Sequence, residues 1–395
     1  MKLVTILIIS FLCAHLMMFS SVQENTKPKK IVVIESNNVR LDDKENTIPF
    51  RVDINDSSVY KLRDYIKSQI SISTESDPQI IFSLMEWVRN QWQHDGFSEP
   101  PPDATSLEIL QLASKGAKFS CNEYGAVFSD VLLSMGYISR IVNLNSIDIA
   151  YGPLGMGHVA SEVWSNTMQK WMFIDPQFCI SAQHKGQYLS YYDIYQLRKQ
   201  GKYNDIEFMV PSSHLKKINQ TKAAVVSEYR KFIQNYFGYL VTPYRRSNFS
   251  SLIVLMLDAK EQFLTNQGLS SHPLVFTHDP KDFYFPINRT LVVFNYQAFS
   301  PSWSQIVSEY QLQTMDDYKK NMYKFAAKPD FTLLFQNNMP WFDHYEFKNE
   351  NGEWIPLQND LVNWVAKDGL NTIHARAVNV MGVCGPATTV KIRYE

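Results

Sequence analysis

Ser120-Cys121-Asn122-Glu123-Tyr124-Gly125-Ala126-Val127-Phe128 is the stretch on which the reading of this chain turns. A serine followed three residues later by a glutamate is a capping box, in which each side chain satisfies a backbone N–H at a helix start. Apolar residues then recur at Tyr124, Val127, Phe128, Val131, Leu132 and Met135, a single stripe at helical spacing. Gly136 is suited to end that helix. Cys121 therefore lies in the first turn, where free N–H groups and the positive end of the helix dipole favour a thiolate. The same N–H groups can stabilise an oxyanion formed when the sulfur attacks a carbonyl. The plainer alternative is a buried structural cysteine, since free cysteine is commonly buried.

Two strand-like runs follow, His158 to Trp164 and Lys170 to Asp175, separated by Ser165-Asn166-Thr167-Met168. If those four residues form a hairpin loop, Trp164 pairs with Gln169 and His158 falls directly opposite Asp175. Opposite residues share a face, with Cβ atoms about 5 Å apart. A carboxylate there fixes the imidazole tautomer and leaves the other ring nitrogen free to take a proton from a thiol. A one-residue slip would put the two side chains on opposite faces.

The segment from about Thr105 to Pro176 resembles the core of the transglutaminase-like superfamily, whose fold relates to papain-like cysteine proteases. The matching stretches are Cys121-Asn122-Glu123-Tyr124, Leu132 to Arg140, Gly157-His158-Val159, Glu162-Val163-Trp164 and Trp171 to Pro176. The resemblance covers about a fifth of the chain. It implies Cys121 as nucleophile, His158 as general base and Asp175 as the residue that orients it. Phe119 departs from the pattern, since many members have glycine two residues before the nucleophile. A second oxyanion donor is expected near Trp92, Gln93 and His94, and Cys179 receives no role.

Outward from this core, Ser76-Asp77-Pro78 starts a helix whose apolar positions include Ile80, Ile81, Leu84, Met85, Trp87 and Val88. Beyond residue 240 strand signals dominate, with runs at Ser251 to Leu257 and Arg289 to Asn295. Glu350-Asn351-Gly352-Glu353 is a hairpin signal, and Asn371 to Val380 with Thr388 to Tyr394 reads as a closing strand pair. The expected fold is α+β: a papain/transglutaminase-like core of helices on an antiparallel sheet, then a β-rich part ending in an immunoglobulin- or fibronectin-like sandwich. The expected divisions are a signal peptide over 1–22, a tether over 23–75 and a catalytic domain over 76–240. A β-rich middle region over 241–326 and the sandwich over 327–395 complete them.

Lys2 precedes an apolar run from Leu3 to Phe19, with Ser20 and Ser21 after it, the pattern of a secretory signal. A secreted or periplasmic location is expected, with association with the cell envelope compatible with it. Loss of Cys13 with the signal would leave Cys121, Cys179 and Cys384, an odd number and no disulfide framework.

The formal net charge is -1 and no basic run is interleaved with aromatics, so nucleic acid is not an expected partner. Histidines and cysteines lack metal-ligand spacing, and no phosphate loop or dinucleotide fingerprint occurs, so neither metal nor cofactor is expected. The leading expectation is acyl chemistry on peptide amides through a Cys121 thioester, hydrolytic rather than cross-linking. The reading from another class is a non-catalytic peptide- or glycan-binding surface protein on the same scaffold.

Overall fold

A computed structural model describes residues 30–38, 41, 46–47, 54–71, 76–153, 155–246, 249–270, 272–296, 303–325 and 329–395. The expected signal peptide lies outside the described residues. Among those residues no helix is long and apolar enough to cross a membrane. The chain is α+β.

Among the described residues four helices precede the central sheet: Ser57–Gln69, Asp77–Arg89, Ser106–Ser114 and Cys121–Ser134. Each has a serine, threonine or aspartate at its N-cap, and the last three carry complete capping boxes. The helix from Cys121 ends at Ser134 with Met135 as its C-cap, and Gly136 takes φ 84°, closing the turn as its position in the sequence implies.

Eight strands form the path of the main sheet. In order they are Leu274–Thr277, Phe249–Met256, Tyr239–Arg246, Ser139–Asn145, Gly157–Ser165, Lys170–Asp175, Ile180–His184 and Gln187–Tyr188. Neighbours are antiparallel except for the edge pair of Leu274–Thr277 on Phe249–Met256. The stretch read as a β-rich middle region therefore contributes three strands to this sheet.

Both faces of the sheet are covered. The four early helices pack on one face, where Tyr124, Val127, Phe128 and Val131 meet Val163, Met172 and Ile174. On the other face Val142, Leu144, Ala160 and Phe173 meet Tyr191, Ile194, Val225, Tyr229 and Ile233. The last five belong to helices Tyr191–Lys199 and Lys222–Ile233. Cover on two sides explains why Gly157–Ser165 is buried almost throughout rather than alternating. A buried ion pair braces this layer. Arg140 Nη2 lies 2.6 Å from Glu162 Oε2, while Tyr191 N and Tyr284 Oη donate to Glu162 Oε1.

The carboxy-terminal part contains a five-stranded and a three-stranded antiparallel sheet that share one core, including Leu333, Phe335, Phe347, Trp364, Ile373 and Val390. The closing pair forms as Gly369–Asn379 on Thr388–Tyr394. Strand Thr290–Tyr296 comes into the three-stranded sheet from before residue 327, and Ile31–Ser36, within the stretch read as a tether, pairs with Thr388–Tyr394. Near Asn351-Gly352 the hairpin is wider than a two-residue turn: Phe347 pairs with Ile355, and Glu350 takes the positive φ of 39°.

Candidate active site

Cys121 is the first residue of its helix. Ser120 Oγ accepts from Asn122 N at 3.2 Å, and Glu123 Oε2 accepts from Ser120 N at 3.0 Å. These bonds fix the backbone on either side of the sulfur and leave the thiol free of the capping network. His94 pairs with Phe119 in an isolated parallel bridge, and Asp95 N donates to Phe119 O, which brings the 94–97 turn alongside the approach to Cys121.

The hairpin register corrects the expected one. The turn is Asn166–Gln169, one residue later than Ser165–Met168, and the pairs are Ser165 with Lys170 and Trp164 with Trp171. Ser165 stays in the strand because its Oγ donates to Asp77 at 2.9 Å and accepts from Met168 N at 3.0 Å, while Gln169 takes a left-handed φ of 51°. A shift of the loop by one residue moves the register by two. Side-chain parity survives, so His158 and Asp175 still share a face. They meet diagonally rather than directly opposite, and His158 Nε2 is 2.8 Å from Asp175 Oδ2.

The structure brings all three expected residues together. Nε2 faces Asp175, which leaves Nδ1 as the other ring nitrogen, and His158 lines the same cleft as Cys121 and lowers its thiol. Asp175 is fully buried and is held on both oxygens: Tyr229 Oη donates to Oδ2 at 2.9 Å and Phe178 N to Oδ1 at 3.2 Å. Phe232 sets its edge against the His158 ring with centroids 4.9 Å apart, and Phe178 does so at 5.7 Å. The imidazole is thus fixed in orientation by both a carboxylate and an apolar collar.

Burial pushes the Cys121 thiol up, but hydrogen bonds from His158 and His94, the His158 charge and the Val159 N–H outweigh it and hold the thiol at about 6. Burial likewise opposes charge on His158, yet the Asp175 charge and hydrogen bond, aided by Cys121, raise it to about 9. The two opposed shifts favour a thiolate beside an imidazolium near neutral pH. The other thiols lack such company. Burial raises both Cys179, which sits in the helical core, and Cys384.

Of the residues expected to supply a second oxyanion donor, Trp92 is taken up by the core, stacked on Tyr124 at 4.5 Å. Gln93 is exposed and does not line the cleft, whereas His94 lines it beside Cys121 and helps to lower the thiol. Tyr229, Phe178 and Phe232 were not legible as site residues. Tyr229 comes 54 residues after Asp175 with no local pattern to mark it. The site opens into a cleft of about 760 Å³ whose lining includes Cys121, His158, Asn143, Asn145, Gln177 and Tyr236.

No protein-family model matches the chain, and no curated protein matches it. Among solved structures, similarity is found to a candidate cysteine protease from Cytophaga hutchinsonii, at 9% identity over 61% of this chain and 68% of that one, with a TM-score of 0.27. Red sea bream transglutaminase is similar at 12% identity over 84% of this chain and 72% of that one, with a TM-score of 0.24. Likeness at this level carries no conclusion about chemistry, which rests on the site itself.

Proposed function

We propose that this chain is an acyl-transfer enzyme that cleaves amide bonds in peptides through a thioester on Cys121. The carrying observation is that Cys121, at a helix start, and His158 line one cleft, with His158 Nε2 held 2.8 Å from the buried Asp175 carboxylate. The thiolate attacks the carbonyl carbon, and the electron pair moves onto oxygen, which faces the N–H groups at the helix start. Collapse breaks the C–N bond as His158 Nδ1–H gives its proton to the leaving nitrogen. Neutral His158 then takes a proton from water as that water adds to the thioester. The C–S bond breaks, a carboxylic acid leaves and the thiolate–imidazolium pair is restored. Asp175 accepts from Nε2–H throughout and keeps the required tautomer.

Water is the acceptor we favour over an amine. Among the described residues no carboxylate lines the cleft to receive the charge of an incoming ammonium group. The papain/transglutaminase-like architecture, the immunoglobulin-like carboxy-terminal sandwich and export to the periplasm or beyond belong to the same proposal. The test is product analysis by mass spectrometry on a peptide arylamide, with and without excess primary amine. A free carboxylic acid as main product, lost in Cys121→Ala, is expected. An amide of the added amine as main product would reverse the choice of acceptor; turnover that persists in Cys121→Ala would overturn the mechanism.

A further inference from the structure

The cleft that holds Cys121 has two physical peculiarities. Among the described residues its lining has no Asp, Glu, Lys or Arg; the polar groups are amides, hydroxyls, the thiol and imidazoles. Large apolar side chains also stand exposed on its turns. Phe97 is 92% exposed and Leu269 is 73% exposed, and both line the cleft. Leu264, Tyr151 and Ile147, on the loops that lead into the same wall, are exposed as well. Scattered surface apolar residues need no explanation, but a cluster around one concave site marks a ligand-binding surface.

These side chains are presented by fixed turns. Asp95 Oδ1 accepts from Phe97 N at 3.0 Å and Oδ2 from Ser98 Oγ at 2.9 Å, closing an Asx-type turn that projects Phe97. Leu269 follows a two-residue hairpin turn in which Gln267 and Gly268 both have positive φ, 51° and 81°. That hairpin is clamped to the 146–153 loop: Gln267 N donates to Ile149 O at 3.0 Å, Gly268 N to Ala150 O at 3.1 Å and Gln267 Nε2 to Pro153 O at 2.7 Å. Turns fixed before binding lose little backbone freedom when they close on a ligand.

We propose that Phe97 and Leu269 are specificity-determining residues that select an uncharged, extended polypeptide segment with apolar side chains beside the reacting carbonyl. Apart from the Cys121–His158 pair the described lining offers no charge, so carboxylates or ammonium groups beside Phe97 and Leu269 would lose water without a counter-charge, and charged segments are rejected. This rests on the acyl-transfer reading of Cys121 and names the substrate class for it.

The experiment compares kcat/KM for two fluorogenic peptides that share the cleaved bond, one with leucine and phenylalanine beside it and one with glutamates there. A small activated ester and iodoacetamide labelling of Cys121 serve as independent measures of the thiol chemistry. Burial of one large apolar side chain corresponds to roughly tenfold to a hundredfold in affinity, so the wild type should favour the apolar peptide by about that factor. The double variant Phe97→Ser/Leu269→Ser should lose most of the preference, chiefly through KM. Ile355→Ser, exposed on the separate carboxy-terminal sheet, should keep it. Equal use of both peptides by the wild type, or a preference that survives in the double variant, would overturn the specificity while ester turnover and labelling upheld the chemistry. Absence of both ester turnover and selective labelling would overturn the acyl-transfer reading and the specificity with it.

Discussion

His158 Nε2 lies 2.8 Å from Asp175 Oδ2, although the register of their hairpin puts residue 160, not His158, across from Asp175. The two reach each other along the diagonal of one sheet face, where Tyr229 Oη donates to the same carboxylate oxygen. Asp175 thus holds an imidazole and a phenol together. Asp175→Asn should leave the fold intact, with a thermal midpoint within a few degrees of wild type. Turnover should fall by a factor on the order of 10⁴, the scale of the corresponding change in the serine triad. Calorimetry beside ester kinetics checks both halves. His158→Ala should cost at least as much, and the double variant little more, because the groups act as a unit.

The pH profile follows from the two opposed shifts. Below about 6 the Cys121 thiolate takes up a proton and the nucleophile is lost; above about 9 His158 gives up the proton that the leaving group needs. Activity as kcat/KM should therefore be bell-shaped, with its plateau between those limits. A profile that climbs steadily to alkaline pH, as for an ordinary thiol, would contradict the ion pair.

Thiol reactivity separates the three cysteines. Near neutral pH iodoacetamide should modify Cys121 well before Cys179 or Cys384, whose thiols burial holds protonated. Peptide mapping after timed alkylation reads the order directly.

Much of this site was legible because its signals are local. The capping box at Ser120 and Glu123 placed Cys121 at a helix start, and period-two faces kept His158 and Asp175 together even with the turn misplaced by one residue. What set the turn was a tertiary contact, Asp77 holding Ser165 and Thr167, which no run of residues between the strands displays. Tyr229, Phe178 and Phe232 escaped for a related reason, since they enter the site by packing rather than by motif. In the fold, Ile31–Ser36 carries the β-branched run Ile31-Val32-Val33-Ile34, but where so short a strand docks is decided by Thr388–Tyr394, its partner at the far end of the chain.

His94 is the part of the site that the sequence left among three neighbours. Its hydrogen bond is one of the interactions that draw the thiol down against burial. His94→Ala should move the acid limb of the profile upward and lower kcat, while His94→Gln, which keeps a donor, should restore part of the rate. An unmoved acid limb in His94→Ala would show that His158 acts on the sulfur alone.

Glu162 anchors the strand that carries His158. Glu162→Ala leaves Arg140 buried without its counter-charge, a loss of about 3–5 kcal/mol expected for a broken buried pair. Arg140→Met/Glu162→Leu removes both charges but leaves Tyr191 N and Tyr284 Oη without their acceptor, so it should fall between Glu162→Ala and wild type. Urea midpoints of the three variants measure the difference.

The most direct test of the central claim is the intact mass of the protein, quenched in acid during turnover of an activated ester. The account predicts one acyl group added, mapped to Cys121, released by hydroxylamine and absent from Cys121→Ala. Turnover with no acyl adduct at Cys121, or undiminished turnover by Cys121→Ala, would contradict it.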